Sequence, residues 1–128
     1  MKRFITVMLS TLLLVGCTHA KSGASYRQIS QEEAKKLMKS ESNYIILDVR
    51  TPEEFAEKRI KGAINVPNES IGTDDIPELQ DKQQLILVYC RSGRRSKEAA
   101  EKLAKLGYTN IVEFGGIIDW DGETESGE

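Results

Sequence analysis

The sequence predicts a single α/β domain built on a central parallel sheet with helices on both faces. Short apolar runs of strand length alternate with amphipathic helical segments, the pattern of successive strand–helix units. Two of the helical segments open on a complete capping box, so their starts are marked in the sequence itself. A chain of 128 residues has room for one ordinary core.

Taken in order, Ser30-Gln31-Glu32-Glu33 is the first capping box, and Ala34, Leu37 and Met38 recur behind it at helical spacing. Tyr44 to Val49 is apolar apart from Asp48, as expected of a strand buried on both faces. Thr51-Pro52-Glu53-Glu54 is the second capping box, with proline at the first helical position, where its missing N–H costs nothing. Ala63 to Val66 reads as a short strand closed by Pro67, and Ile71 to Lys82 as a polar connection with one helical turn at Ile76 to Leu79. Leu85 to Tyr89 is a third buried strand. Ser96 to Leu106 is a helix with Ala99, Ala100, Leu103 and Leu106 inward and Gly107 as its stop. Ile111 to Phe114 is a fourth strand, followed by a turn at Gly115-Gly116 and a short segment to Trp120. The domain is expected over residues 29–120. Residues 121–128, acidic and without aliphatic residues, are expected to be a solvated tail.

The first sixteen residues differ from the rest. Met1, Lys2 and Arg3 make a positive start, and Phe4 to Val15 is almost wholly apolar but too short to span a bilayer comfortably. These are the parts of a secretory signal. Its end, Leu14-Val15-Gly16-Cys17, resembles the lipobox of bacterial lipoproteins. That resemblance implies cleavage of residues 1–16, lipid on Cys17 and a polar tether over residues 17–28. The protein is then expected to be exported and held on a bacterial membrane, facing the periplasm or the cell exterior. His19, the only histidine, falls in the tether and is read as solvated. The net charge is −2, and losing Lys2 and Arg3 makes it more negative, so no nucleic-acid partner is expected.

Of the two cysteines, lipidation consumes one and leaves Cys90 without a disulfide partner. In open parallel sheets ligands gather where strands end and loops lead into helices. Cys90 stands at such a point: Cys90-Arg91-Ser92-Gly93-Arg94-Arg95-Ser96 follows a buried strand and runs straight into a helix. A loop entering a helix N-terminus turns several unpaired N–H groups toward one spot, and the helix dipole adds positive potential. Gly93 supplies the backbone freedom for the curl. Negative charge on the sulfur is favoured there, and Arg91, Arg94 and Arg95 suit an anionic substrate. Asp48 and Arg50, at the end of a neighbouring strand, are expected to support the site, with the carboxylate holding Arg95 or Arg94. Glu54 is open to two readings, an ion pair with the loop or service to its capping box only.

The loop from Cys90 to Ser96 resembles the active-site loop of the rhodanese family. Leu47-Asp48-Val49-Arg50-Thr51-Pro52-Glu53-Glu54-Phe55 is similar to a second signature, Gly62 to Pro67 to a third, and Gly115-Gly116-Ile117 with Trp120 to a fourth. The resemblance implies a sulfurtransferase in which Cys90 takes sulfane sulfur as a persulfide from a small anionic donor such as thiosulfate. A nucleophilic acceptor, a protein thiol among the candidates, then removes it. Arg91 to Ser96 would bind the donor, and neither a metal nor an organic cofactor is required. Two departures stand out: Arg59-Ile60-Lys61-Gly62-Ala63 lacks the family's usual histidine, and the usual Gly-x-Pro after the tryptophan is missing.

Two other functions fit the same fold class. A cysteine phosphatase or arsenate reductase needs five residues between cysteine and arginine, which would put the arginine at 96, where this chain has Ser96. A non-catalytic binding module would keep the fold but has no use for an unpaired thiol outside the cell.

Overall fold

The structure is a computed structural model in which residues 25–128 are described; the leader, Cys17 and most of the tether lie outside them. Five strands form the main sheet in the order β1-β6-β5-β2-β4. These are β1 (Arg27–Gln28), β2 (Tyr44–Asp48), β4 (Ile64–Asn65), β5 (Leu85–Cys90) and β6 (Ile111–Gly116), and every neighbouring pair runs parallel. Two short strands, β3 (Arg59–Ile60) and β7 (Thr124–Glu125), pair antiparallel to one side.

Because strand side chains alternate, the sheet has two apolar faces. On one, Leu47, Val49, Ile86, Val88 and Cys90 meet Ala99, Ala100 and Leu103 of helix α3 (Arg94–Lys105). On the other, Ile46, Leu87, Tyr89, Val112 and Phe114 meet Ala34 of helix α1 (Gln31–Ser40) and Phe55 of helix α2 (Pro52–Glu57). All six residues of β5 are buried, as a central strand covered on both sides requires.

Both capping boxes form as the sequence predicts: the Ser30 hydroxyl accepts from Glu33 N–H and the Thr51 hydroxyl from Glu54 N–H, each answered by the glutamate reaching back. Helix α3 begins at Arg94, two residues earlier than its apolar spacing suggests, because Gly93 takes up a left-handed conformation (φ 111°) and starts the helix at once. A single 3-10 turn at Asn68–Ser70 occupies part of the segment after β4.

Both ends of the domain correct the sequence reading. Arg27 and Gln28, expected in the tether, add an edge strand to β6, with Arg27 opposite Val112 and Gln28 opposite Glu113. Backbone hydrogen bonding, which residue type does not reveal, secures them. The acidic tail is also fastened: Thr124 and Glu125 pair with β3, Glu125 accepts from Arg59 Nε at 3.3 Å, and Gly127 N–H donates to Ala56 O at 2.8 Å. Opposite charge and strand pairing hold this segment without aliphatic side chains.

Candidate active site

Cys90 closes β5 and is 1% exposed, with its side chain on the α3 face. The Gly93 N–H donates to Cys90 Sγ at 3.0 Å, and Ser96 Oγ lies 3.4 Å from the same sulfur. The loop between them turns through Gly93 into α3, so the helix N-terminus sits against the thiol.

The loop stays in place because two backbones touch. A Cβ on Gly116 would stand 2.0 Å from Arg91 O and 2.6 Å from Ser92 Cα, and Cys90 itself pairs with Gly116 in the sheet. Only a residue without a side chain lets β6 approach the loop so closely. Ile118 N–H adds a bond of 3.3 Å to Arg91 O.

The three arginines have different surroundings. Arg91 is exposed and forms no ion pair among the described residues. Arg94, exposed on the first turn of α3, pairs with Glu98 at 3.3 Å across one helical turn. Arg95 is fixed: its two terminal nitrogens hold both Glu54 oxygens, at 2.7 and 3.1 Å. That guanidinium, together with Thr51, brings the Glu54 carboxyl down to about 2. Glu54 thus both caps α2 and anchors the Cys90 loop. Ser92 is exposed, whereas Gly93 and Ser96 are buried.

Asp48 and Arg50 do not support the loop as expected. Asp48 aligns with Tyr89 in the register of β2 and β5, so its side chain leaves the sheet on the α1 face, opposite Cys90. There Arg50 Nη2 donates to Asp48 Oδ2 at 2.6 Å and to Lys58 O at 2.6 Å, while Tyr89 OH donates to Asp48 Oδ2 at 2.5 Å. Burial, and then the Asp48 charge, push the Tyr89 phenol well above its ordinary range. Burial opposes the Arg50 charge, and Asp48 outweighs it, leaving the guanidinium above its usual value. This buried group ties β2, β5 and the entry to β3 together, because Tyr89 OH also accepts from Ile60 N–H at 3.0 Å.

One residue that the sequence reading passed over reaches the site. Glu113, in the middle of β6, is 2% exposed and takes Ser96 Oγ at 2.6 Å and Gly115 N–H at 2.9 Å on its Oε2. The available signal was a single charge inside the apolar strand Ile111 to Phe114. Gln31 of α1, likewise overlooked, donates to Gly116 O at 2.8 Å and holds the Gly115-Gly116 turn from the other side.

Comparison with known proteins gives a consistent result. The family model for the rhodanese-like domain matches residues 30–123. Thiosulfate sulfurtransferase PspE of Escherichia coli (strain K12) is 37% identical over 73 residues, covering 57% of this chain and 70% of the relative. A sulfurtransferase of Allochromatium vinosum is 32% identical over 96 residues, covering 73% and 86%. Among solved structures, a rhodanese with anions from E. coli superposes with a TM-score of 0.59 at 34% identity, covering 66% of this chain and 99% of that one. A rhodanese-like domain protein from Staphylococcus aureus gives 0.66 at 28%, covering 80% and 99%. With four motifs in order on a parallel sheet of this topology, the chain belongs to the rhodanese-like domain family.

Proposed function

We propose that this protein is a sulfurtransferase that carries sulfane sulfur on Cys90. The observation that carries the reading is the Cys90 thiol at the end of β5, with the Gly93 N–H 3.0 Å from its sulfur at the start of α3. In the first half-reaction the Cys90 thiolate attacks the outer sulfur of an anionic donor such as thiosulfate. A Cys90–sulfur bond forms as the donor's S–S bond breaks, and sulfite departs with the electron pair. The outer sulfur of the resulting persulfide carries negative charge, which loop N–H groups and the helix start stabilise as an oxyanion hole stabilises oxygen. A nucleophilic acceptor then takes that sulfur and returns the thiolate; cyanide serves in an assay, and a protein thiol fits the same chemistry.

Arg91, exposed and without an ion pair among the described residues, is the cation best placed to meet an incoming anion, with Arg94 beside it. Arg95 is engaged with Glu54 and contributes through the loop's shape. The phosphatase reading has little support: Ser96 stands where the longer loop would supply an arginine, and its hydroxyl faces Glu113. Cys90→Ser is expected to abolish sulfur transfer from thiosulfate to cyanide while leaving the circular dichroism of the wild type. Arg91→Ala should raise the donor concentration needed for half-maximal rate several-fold, less so at high salt. Undiminished transfer by Cys90→Ser, or robust aryl-phosphate hydrolysis by the wild type, would overturn the reading.

A further inference from the structure

Glu113 is a buried carboxyl with no lysine or arginine in ion-pair contact among the described residues, and it stands one hydroxyl away from the reactive sulfur. Its placement follows from register: Glu113 pairs with Val88, two residues before Cys90, so both side chains leave the sheet on the α3 face where Ser96 waits. Ser96 Oγ, itself fully buried, is 2.6 Å from Glu113 Oε2 and 3.4 Å from Cys90 Sγ.

A serine hydroxyl has one proton to give, and of the acceptors around it Glu113 Oε2 at 2.6 Å is nearer than Gly93 O at 3.1 Å or Gly115 O at 3.4 Å. When it goes to Glu113, the Ser96 oxygen faces Cys90 as an acceptor, and the sulfur keeps its own proton. When it goes to a Cys90 thiolate, the short contact between Ser96 and Glu113 requires a proton on the carboxyl. The two arrangements interconvert by moving the S–H proton to Ser96 Oγ while the Ser96 proton passes to Glu113 Oε2. No bond between heavy atoms changes and no co-reactant is needed. A thiolate and a carboxylate bracketing one buried hydroxyl would repel each other.

The other charged and titratable groups nearby leave this pairing intact. Arg95 of α3 is bound to Glu54. Arg91 and Arg94 are exposed on the loop. Lys97 of α3 and Asp119 line the cleft that Glu113 borders, and the Tyr26 phenol, ahead of β1, is raised by burial and then by the Glu113 charge. Strand β1 and helix α1 present neutral amides, Gln28 and Gln31.

We propose that Glu113 is a positioning residue for Cys90: acting through the Ser96 hydroxyl, its carboxylate restrains ionisation of the thiol unless the carboxyl itself takes up the proton. The role rests on Cys90 being the sulfur carrier, yet its readout is ionisation of the thiol rather than turnover. The test is the rate of iodoacetamide alkylation at Cys90 in the full chain, followed by peptide mass spectrometry across the neutral pH range. Glu113→Gln removes the charge and offers an N–H to Ser96, so the rate–pH curve should move about one unit lower, roughly a tenfold faster reaction on its acid limb. In a Ser96→Ala background the same substitution should move the curve far less. Superimposed curves for wild type and Glu113→Gln, or equal displacement with and without the Ser96 hydroxyl, would overturn the role. Should Glu113→Gln fail to fold, infrared titration replaces it: the buried carboxylic acid C=O band should persist to higher pH in the wild type than in Cys90→Ala, and coincident titrations would contradict the proposal. A protein that carries sulfur but gives superimposed alkylation curves removes the Glu113 role alone; one that shows the expected displacement but carries no sulfur removes only the transferase reading.

Discussion

Glu54 joins a helix start to the Cys90 loop, and its charge depends on pH. In the unfolded chain it takes up a proton near 4.5, whereas beside Arg95 in the folded protein it stays ionised down to about 2. Its contribution to stability is therefore full above the unfolded value, declines as pH falls from about 4.5 toward about 2, and is gone below. The pair is partly exposed to solvent, so the contribution is of order 1 kcal/mol. Urea unfolding of wild type and Glu54→Gln should differ by about that amount near pH 6 and converge at pH 2; an unchanged difference at both pH values would contradict the assignment. The wild-type sequence shows why Arg95 was hard to assign. Asp48 and Glu54 both lie in the second motif, far from Arg95 along the chain, and only strand alternation, which sends Asp48 to the opposite face, decides between them.

At the scale of elements, the sequence carried most of the fold. Two capping boxes and the all-apolar β5 marked their own places, since local side-chain chemistry fixes helix starts and burial on both faces demands apolar residues. Elements without an apolar pattern were invisible: β1 and β7 pair with the open edges of β6 and β3, and charge or amide contacts help to hold them. Glu113 was missed for a related reason, since its partner Ser96 is distant in sequence and only the β5–β6 register brings them together. The contact between β6 and the loop also gives a prediction. Gly116→Ala must push Arg91 O, 2.0 Å from the added Cβ, away by about an ångström or more, and Ser92 with it. Overpacking of this kind costs about 1–3 kcal/mol. Sulfur transfer should fall at least tenfold while the protein still unfolds cooperatively, and wild-type activity in Gly116→Ala would show that the loop tolerates displacement.

For the whole molecule, the sheet separates two jobs by face. The α1 side carries the buried Asp48–Arg50–Tyr89 group and the docked C-terminal segment, where Arg59 stands at the position of the family's usual histidine and binds Glu125. The α3 side carries Cys90, Ser96 and Glu113. Residues 1–24 lie outside the described structure, and the proposal for them rests on the Leu14-Val15-Gly16-Cys17 junction. A chain processed there and lipidated on Cys17 would work at a membrane surface outside the cytoplasm. Changing Cys17→Ala should move the protein from the membrane to the soluble fraction with its sulfurtransferase activity retained; continued membrane partitioning would refute the anchor.

The persulfide on Cys90 is the central claim, and intact-mass and peptide mass spectrometry after brief exposure to thiosulfate tests it most directly. The predicted spectrum shows one added sulfur, confined to the peptide containing Cys90, lost on addition of cyanide and absent from Cys90→Ser. A protein that turns over thiosulfate while its Cys90 peptide keeps the unmodified mass, or that carries the added sulfur elsewhere, would contradict the account.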